Sequence, residues 1–518
     1  MGVQVGQILR QAALIAPERV AVVDLGQAGE ARRELTFSAL DGLACAMAAQ
    51  LMAAGVRAGD RIALLAENSA EAAAAWFAVV YAGAAVVPLH VLSAPLELAQ
   101  RLVHSGAKLV IHDSARAALV LRAFEADRTL ATHTRALALA ALAQPSAERV
   151  EYPLATEPDA TALVLYTSGS TGKPKGAAIS HASLMLHTAL LVQHGLGLDA
   201  DARVLCMLPL SHSYGCRLAM LAPFYARAQI VIVPRFAAQR TWQLLHSERI
   251  SWFPAVPTIL AAWLQLPAAE PPPALRWALS AGAPLSDEIA RRAEARLGVE
   301  VRQGYGMTEA TFATINAPPD ARVFGSVGKP VWGVELRVVD EHGTDVAPGA
   351  TGEVWVRGHN VMKDYLFDAA ATLHVARDGW VHSGDLGRLD AEGRLYIVDR
   401  IKDMIIRGGY NVYPSELEAA LSSHPAVRAA AVVGRPDAYY GEQVVAVVVA
   451  DAFEDAAALH AFLVERVTRT KLPHEYAFVP ELPLGPSGKV HKPSLRAALV
   501  DGSLVTLQVS ALDAERRA

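Results

Sequence analysis

The segment YTSGSTGKPKG, residues 166–176, is the stretch of this chain that says most about its fold. It is rich in hydroxyl side chains, glycines and lysines. An apolar, β-prone run, TALVLY, precedes it, and Ser180 can cap a helix that follows. We therefore predict a strand, a flexible loop and a helix. This arrangement suits an anion such as phosphate, because hydroxyls, ammonium groups and closely approaching backbone N–H groups donate to its oxygens.

The loop does not match the Walker A pattern, which is the simplest phosphate-binding motif. That pattern requires a glycine at the position of Thr167 and a Ser or Thr at the position of Pro174. A solvated turn is the alternative interpretation, since Gly and Ser dominate turns in general. Other parts of the chain must decide between the two.

Composition excludes several classes of protein. A chain of 518 residues is too long for one ordinary core, so we expect two or more domains. The net charge of −5 provides no basic surface for nucleic acid. The three cysteines have no paired spacing, which favours a reducing, cytoplasmic compartment over a disulfide framework or a zinc site. The N-terminus predicts an amphipathic helix rather than a signal peptide, and we expect no integral membrane segment.

The pattern of apolar runs divides the chain in two. Up to residue 400, helices alternate with short apolar strands, which predicts a large α/β domain of layered sheets and helices over residues 1–400. Within it we predict a helix over 286–297, capped by Ser286 and closed by Gly298, and a hairpin around residues 390–393. Beyond residue 400, strand and helix patterns, among them a helix near 456–470, mix within about a hundred residues, a normal domain size. We predict a small α+β domain over residues 401–518.

Five further motifs carry chemistry. GYGMTE (304–309) places a carboxylate and an aromatic ring in a glycine-bounded loop after a strand, where they can reach a metal ion and a purine. The small-residue turn SAGAP (280–284) gives a flat ligand access to backbone, and Asp385 in WVHSGDLG can accept hydrogen bonds from a diol. LPLSHSYG (208–215) offers a histidine, and LPLGPSGKVHK (482–492) a lysine in a flexible loop. Taken singly, each has a structural alternative: a surface acid, a βα loop, a turn-capping Asp, a core histidine or a solvated lysine.

Together and in this order, the motifs resemble those of the adenylate-forming superfamily, which includes acyl-CoA synthetases, peptide-synthetase adenylation domains and luciferases. The resemblance covers the chain from its N-terminal region to about residue 498. It implies an AMP-forming acyl-CoA synthetase with a small C-terminal domain that moves. Such an enzyme converts a carboxylate and ATP to acyl-AMP and pyrophosphate, and then transfers the acyl group to coenzyme A.

The resemblance also implies roles for individual residues. Lys489, Glu309, Thr308 and His212 would serve catalysis, with Lys489 neutralising the α-phosphate and His212 at the acyl pocket. Glu309 and Thr167 would hold Mg²⁺. Lys402 would be the hinge, and Gly408 and Gly409 would border the coenzyme A tunnel. The nucleotide contacts would come from Thr167, Ser168, Gly169, Ser170, Thr171, Gly172, Lys175, Gly282, Ala283, Tyr305, Asp385 and Arg400.

Several questions stay open at this level. The acceptor could be a carrier-protein thiol, or the protein could bind nucleotide without catalysis. We expect a small-molecule acid, ATP and coenzyme A as partners, and a monomer or homodimer. Overall resemblance favours a fatty acid of medium to long chain or an aryl acid. Arg217, next to the acyl motif, would favour a substrate with a second carboxylate or polar end if it pointed inward. The favoured interpretation is that Arg217 faces a helix exterior or pairs with a structural acid.

Overall fold

The computed structural model describes residues 3–26, 31–144, 157–167, 174–408, 410–437, 439–450, 455–485 and 489–509. Within these residues the chain forms a large α/β domain and a smaller C-terminal α+β domain, as predicted. Their hydrophobic cores are separate: the core clusters of the small domain contain only residues beyond Arg400. The exact boundary at residue 401 stays a prediction.

The large domain holds the strands of three sheets. In chain order they are β1 Val20–Asp24, β2 Arg33–Thr36, β3 Arg61–Leu65, β4 Ala85–Pro88, β5 Leu109–His112, β6 Arg135–Ala138, β7 Thr161–Thr167, β8 Lys175–Ser180, β9 Arg203–Cys206, β10 Gln229–Ile232, β11 Trp252–Ala255, β12 Trp277–Ala281, β13 Val301–Tyr305, β14 Thr314–Ile315, β15 Lys329–Pro330, β16 Val334–Val339, β17 Gly352–Gly358, β18 Asp364–Tyr365, β19 Ala376–Arg377, β20 Trp380–Leu389 and β21 Leu395–Arg400.

Its α-helices cover and separate these sheets. In chain order they are α1 Gln7–Ile15, α2 Phe37–Ala53, α3 Ala70–Tyr81, α4 Pro95–Ser105, α5 Ala117–Ala126, α6 Leu130–His133, α7 Leu139–Leu142, α8 His181–Leu191, α9 Ser213–Cys216, α10 Ala222–Tyr225, α11 Ala238–Ser247, α12 Pro257–Leu264, α13 Asp287–Leu297 and α14 Ala369–Val375. The predicted N-terminal helix is thus present, and α13 begins at the Ser286 cap and ends at Gly298, as predicted.

Two mostly parallel sheets lie on either side of the buried helix α3. The nine-stranded sheet has the order β15-β14-β13-β12-β11-β9-β10-β1-β2, and the seven-stranded sheet has the order β18-β8-β7-β4-β3-β5-β6. Helix α3 contacts β3 and β4 of one sheet and β1 of the other. Its residues are almost all apolar and buried, as a helix between two sheets requires. Parallel strands bring their carboxyl ends to one edge, and this edge carries the loops discussed below.

One sequence prediction is wrong at the phosphate-type loop. A strand, β8, separates the loop from helix α8, and β8 runs antiparallel to β7 with Thr167 opposite Lys175 and Thr161 opposite Ser180. The N-terminus of α8, capped by Ser180, therefore lies at the opposite end of the hairpin from the loop. The physical reason is the apolar run GAAIS, which adds a buried strand to the sheet before the helix can begin.

The third sheet of the large domain is antiparallel. Its strands run β16-β17-β20-β19, with β21 paired to the other end of β20. The turn between Leu389 and Leu395 joins β20 and β21 as the predicted hairpin. In this register Asp385 lies directly opposite Arg400.

The small domain packs helices on a mixed sheet. Its strands are β22 Ile405–Arg407, β23 Tyr410–Val412, β24 Val427–Asp437, β25 Gly441–Ala450, β26 Glu475–Phe478 and β27 Leu507–Gln508, and its helices are α15 Pro414–Ser422, α16 Ala456–Val464 and α17 Lys492–Val500. Helix α16 is shorter than the helix predicted over 456–470. The polar, β-branched run after Val464 continues instead through a single 3₁₀ turn, Arg469–Lys471. Among the helices described, none has the length and apolarity that a bilayer crossing requires.

Candidate active site

The loop after β13 places three of the predicted residues at the carboxyl edge of the nine-stranded sheet. Tyr305 ends the strand, and Thr308 and Glu309 follow in a tight turn. Gly306 allows this turn, because a Cβ there would come within 2.2 Å of the backbone nitrogen of Phe312. The aromatic ring and the carboxylate therefore emerge from one rigid backbone segment.

A second feature is a three-residue network around the buried carboxylate of Asp385. The hydroxyl of Tyr305 donates to Asp385 Oδ2 at 2.7 Å, and Nε of Arg400 lies 3.1 Å from Asp385 Oδ1. Burial raises the pKa of Asp385, while Arg400 and the Tyr305 hydroxyl act in the opposite direction. The carboxylate in turn raises the pKa of Arg400. The network thus joins β13, β20 and β21 through one carboxylate.

Glu309 is held by a residue that the motifs did not include. The hydroxyl of Tyr365, on β18, donates to Glu309 Oε1 at 2.5 Å. Nζ of Lys175, at the base of the β7–β8 hairpin, lies 5.5 Å from the centre of the Tyr365 ring. Tyr365 therefore connects the carboxylate of the GYGMTE loop to the strand that carries the phosphate-type loop.

Lys489 of the small domain lies against the large domain. A Cβ atom placed on Gly282 would lie 3.6 Å from Cε and 3.9 Å from Nζ of Lys489. Gly282 has φ +85°, in the left-handed region that favours glycine. Burial lowers the pKa of Lys489 to about 8, and the positive charge of Arg400 adds to this effect, while Asp385 opposes it. The ammonium group is thus near the network around Asp385.

His212 lies close enough to Lys489 to be affected by its charge. Burial lowers the pKa of His212 to about 4, and Lys489 and then His90 add to this effect. Nδ1 of His212 accepts a hydrogen bond from the backbone N–H of Tyr214 at 3.2 Å, at the start of α9. A neutral ring that accepts at Nδ1 carries its proton on Nε2, so this nitrogen is available as a donor.

The remaining predicted residues fall into four groups. Thr167, at the end of β7, and Ala283, after β12, are partly buried near the residues described above. Lys402 is exposed in the turn after β21, where its charge acts on Asp385. Gly408 lies elsewhere: its N–H donates to the carbonyl of Tyr440 within the small domain. Ser168, Gly169, Ser170, Thr171, Gly172 and Gly409 lie outside the described residues.

A magnesium ion fits the donor set if substrate oxygens complete it. The described residues contain no group of three or more His, Cys, Asp or Glu side chains that could hold a metal. Mg²⁺ commonly binds one or two carboxylates together with substrate phosphates, so a single Glu309 carboxylate is compatible with it.

Sequence reasoning missed Tyr365 and two histidines. His187 on α8 and His359 after β17 lie with Nδ1 and Nε2 at 3.2 Å. Tyr365 belongs to the two-residue strand β18, too short for a sequence pattern to indicate. His187 lies on α8, where the sequence pattern indicated only the cap at Ser180. No local pattern therefore pointed to Tyr365 or to His187.

Comparison with known proteins agrees with this geometry. The model of the AMP-binding enzyme family matches residues 9–366, and that of the AMP-binding enzyme C-terminal domain matches residues 416–489. Sulfoacetate–CoA ligase from Cupriavidus necator is 38% identical over 469 residues, which cover 88% of this chain and 91% of that protein. Feruloyl-CoA synthase from Amycolatopsis is 37% identical, with coverage of 89% and 93%.

A solved structure shows the same arrangement of both domains. ATP-bound MatB from Rhodopseudomonas palustris has a TM-score of 0.89 and 31% identity, with coverage of 97% of this chain and 99% of that one. The apo form of the same protein has a TM-score of 0.77. The present chain is therefore more similar to the ATP-bound form.

The chain belongs to the family of AMP-binding enzymes. Within it, the protein is a carboxylic acid–CoA ligase that uses ATP and coenzyme A.

Proposed function

We propose that this ligase activates its acid in the arrangement described here, with Lys489 at the reacting phosphate. The observation that carries the proposal is the position of Lys489 beside Gly282, near Asp385 and Arg400, although it comes from a different domain. A mobile ammonium group is suited to the charge that develops when a carboxylate attacks the α-phosphate and pyrophosphate leaves. Greater similarity to the ATP-bound MatB structure than to the apo one supports this assignment.

The large domain would bind the nucleotide. The Asp385 carboxylate, oriented by Tyr305 and Arg400, would accept hydrogen bonds from the ribose hydroxyls, and the Tyr305 ring would stack on adenine. The loop of residues 168–173, anchored by Thr167 and Lys175, would hold the β- and γ-phosphates. Gly282 and Ala283 would form the wall beside the adenine and the acyl group.

Glu309, Thr308, Thr167 and His212 would act around the reacting group. Glu309, oriented by Tyr365, and Thr167 would hold Mg²⁺, whose charge offsets that of the phosphates when it is bound. Thr308 would donate to the α-phosphate. Neutral His212 would donate from Nε2 to the acid, since its pKa of about 4 keeps it uncharged at neutral pH.

The second half-reaction would use another face of the small domain. Rotation about Lys402 would withdraw Lys489 and bring the turn at Gly408 and Gly409 to the large domain, where the coenzyme A thiol attacks the acyl carbonyl and AMP leaves. Domain limits at residues 400 and 401 fit such a hinge. A carrier-protein thiol as acceptor is the alternative, and the distinction depends on what the Gly408 face binds.

The names of the relatives leave the acid open, because they include a sulfonated and an aromatic carboxylic acid. We propose a small-molecule acid, a monomer or homodimer, and a cytoplasmic location, which the three free, buried cysteines support.

The test is pyrophosphate release from ATP with a panel of carboxylic acids, with and without coenzyme A and with or without Mg²⁺. We expect acid-dependent release that requires Mg²⁺, and thioester formation only when coenzyme A is present. Release of pyrophosphate with thioester formed only on a carrier protein would replace the coenzyme A assignment. No release with any acid would reject the function.

A further inference from the structure

Arg217 is a buried arginine whose guanidinium has no hydrogen-bond partner among the described residues. Its side chain is 1% exposed, and it is among the largest fully buried side chains of the described chain. Within the described residues none of its nitrogens, Nε, Nη1 or Nη2, has a hydrogen-bond partner. A guanidinium carries five donors and is normally paired when buried, so this environment is unusual. An unsatisfied buried group of this size requires a physical explanation.

The charge of Arg217 is not balanced by its neighbours. Burial lowers its pKa to about 10, so the group stays protonated at neutral pH. The other ionisable groups close to it are Cys216, His187 and His359. Burial holds the pKa of both histidines below the ordinary value and raises that of the Cys216 thiol to about 12, so all three are uncharged. Among the described residues the cluster therefore has one positive charge and no anion.

This cluster adjoins the loop that carries Glu309. Ser213, four residues before Arg217, has its Oγ 3.4 Å from Oγ1 of Thr311, which follows Glu309 by two positions. On the other side, the side-chain amide of Asn360 donates to the carbonyl of Thr311 at 3.0 Å. Asn360 is next to His359, whose ring contacts His187. Two chain segments thus lead from the GYGMTE loop directly to the surroundings of Arg217.

Local helix geometry marks the same place. Helix α9 changes at Arg217 into a π-helical segment, Arg217–Leu221, and α8, which carries His187, ends in another, Val192–Leu196. Single π-helical turns within α-helices are rare and occur frequently at functional sites. Here one such segment begins at Arg217 itself, and the other follows the helix that carries His187.

We propose that Arg217 binds a second anionic group, a carboxylate or a sulfonate, on the acid that this ligase activates, so that its substrates are dianionic acids. The inference rests on the proposed function and specifies the substrate class of the same site. The planar guanidinium fits the two oxygens of either anion, and a bound anion supplies the partner and the charge that the described residues lack. His187 and His359 beside it are uncharged, so the positive charge that attracts the anion comes from Arg217.

Arg217 lies five positions after His212, and one short helical stretch joins them. Because the two proposed contact residues are close in the chain, the acids chosen for the test have a short chain between their anionic groups: succinate, glutarate and adipate.

The test compares matched pairs of acids on the intact enzyme. Succinate, glutarate, adipate and 3-sulfopropanoate are assayed by pyrophosphate release against butanoate, pentanoate and hexanoate. A site built for a polar group rejects analogues that lack it strongly, so we expect kcat/KM to favour the best dianionic acid by about 100-fold or more. A carboxylate–sulfonate comparison identifies the anion. If monocarboxylic acids are the better substrates, the inference is overturned while the ligase function stands. No turnover of any acid rejects the function itself.

Variants separate recognition from a structural role. Arg217→Leu should lower kcat/KM for dianionic acids by about 100-fold and leave or raise that for monocarboxylic acids, and Arg217→Lys should restore part of the preference. Arg276→Leu, which removes a surface arginine paired with Asp199, is the control and should change neither. Equal losses for both classes of acid in Arg217→Leu would overturn the proposal.

Melting temperature gives a readout independent of turnover. Without ligand, Arg217→Leu should melt at the same temperature as the wild type or higher, because an unpaired buried charge is removed. The preferred dianionic acid should raise the melting temperature of the wild type and not of the variant. A strong fall in the melting temperature of the ligand-free variant would show instead that Arg217 stabilises the fold, and would overturn the proposal.

Discussion

Lys489 and Gly408 belong to the same small domain, yet their surroundings differ. Lys489 lies beside Gly282 of the large domain, whereas Gly408 contacts Tyr440 within its own domain. The large-domain carboxylates, by contrast, are held by hydrogen bonds within their own domain: Tyr305 donates to Asp385 and Tyr365 to Glu309. A small domain with two separate functional faces can serve two successive reactions on one rigid site, provided that only one face is engaged at a time.

The largest expected effect comes from removing the side chain of Lys489, which lies against the large domain. Lys489→Ala should slow adenylation by about 10²- to 10³-fold, as loss of one group that stabilises a developing anion does. Thioester formation from preformed acyl-AMP should change much less. Single-turnover measurements of each half-reaction check this. Lys108→Ala is the control, because Lys108 precedes β5 at the amino ends of the parallel strands and pairs with Asp60. Equal losses in both half-reactions would contradict the division of labour.

A substitution at Gly408, on the other functional face of the small domain, should affect thioester formation and not adenylation. Gly408 has φ +55°, and a Cβ there would approach Tyr440 to 3.3 Å. Gly408→Leu should therefore slow thioester formation by about 100-fold and leave adenylation within a few fold. Gly502→Leu is a matched control, since Gly502 has φ +76° in the same domain with open space around it. A slower adenylation in Gly408→Leu would place this turn in the first half-reaction.

The pH dependence of adenylation should report the charge on Lys489. A lysine loses its charge as pH rises through its pKa, here lowered to about 8. We expect kcat/KM for ATP to fall above about pH 8, nearly tenfold per pH unit, because this parameter follows the free enzyme. In Lys489→Arg, the fall in kcat/KM for ATP should begin at a pH more than one unit higher. An unchanged pH dependence in this variant would assign the fall to another group.

The smallest expected effect concerns the hydrogen bond between Tyr365 and Glu309 in the large domain. Tyr365→Phe removes the hydroxyl that donates to Glu309 at 2.5 Å. Loss of one hydrogen bond to a charged group should reduce adenylation by about tenfold. The Mg²⁺ concentration for half-maximal rate should also rise, since Glu309 is less well oriented. If only stability changes and the Mg²⁺ requirement does not, Tyr365 has a structural role alone.

Much of this organisation follows from local sequence. The two-domain α/β architecture, the caps of α13 and the β20–β21 hairpin depend on short-range patterns, and the structure confirms them. The antiparallel β8 was missed because a short apolar run after glycine favours a strand only when a sheet edge is available, which is a tertiary effect.

Side-chain partners were less predictable than positions. Asp385 was expected to bind a diol, but its contacts with Tyr305 and Arg400 depend on strands 80 residues and one hairpin away. Arg217 could be interpreted from sequence in two ways, and the structure adds that its guanidinium is buried with no hydrogen-bond partner among the described residues, which supports the proposed substrate contact. Such information resides in packing and not in any motif.

The cross-strand pairing of Asp385 and Arg400 has a consequence for timing. Arg400 is the last residue of β21, two positions before the proposed pivot at Lys402. A group bound at Asp385 would therefore act on Arg400, which lies just before the proposed hinge, without a relay through the large domain. If the small domain rotates as proposed, exchange of ATP for acyl-AMP and AMP would favour one arrangement of the domains over the other and so set the order of the two reactions.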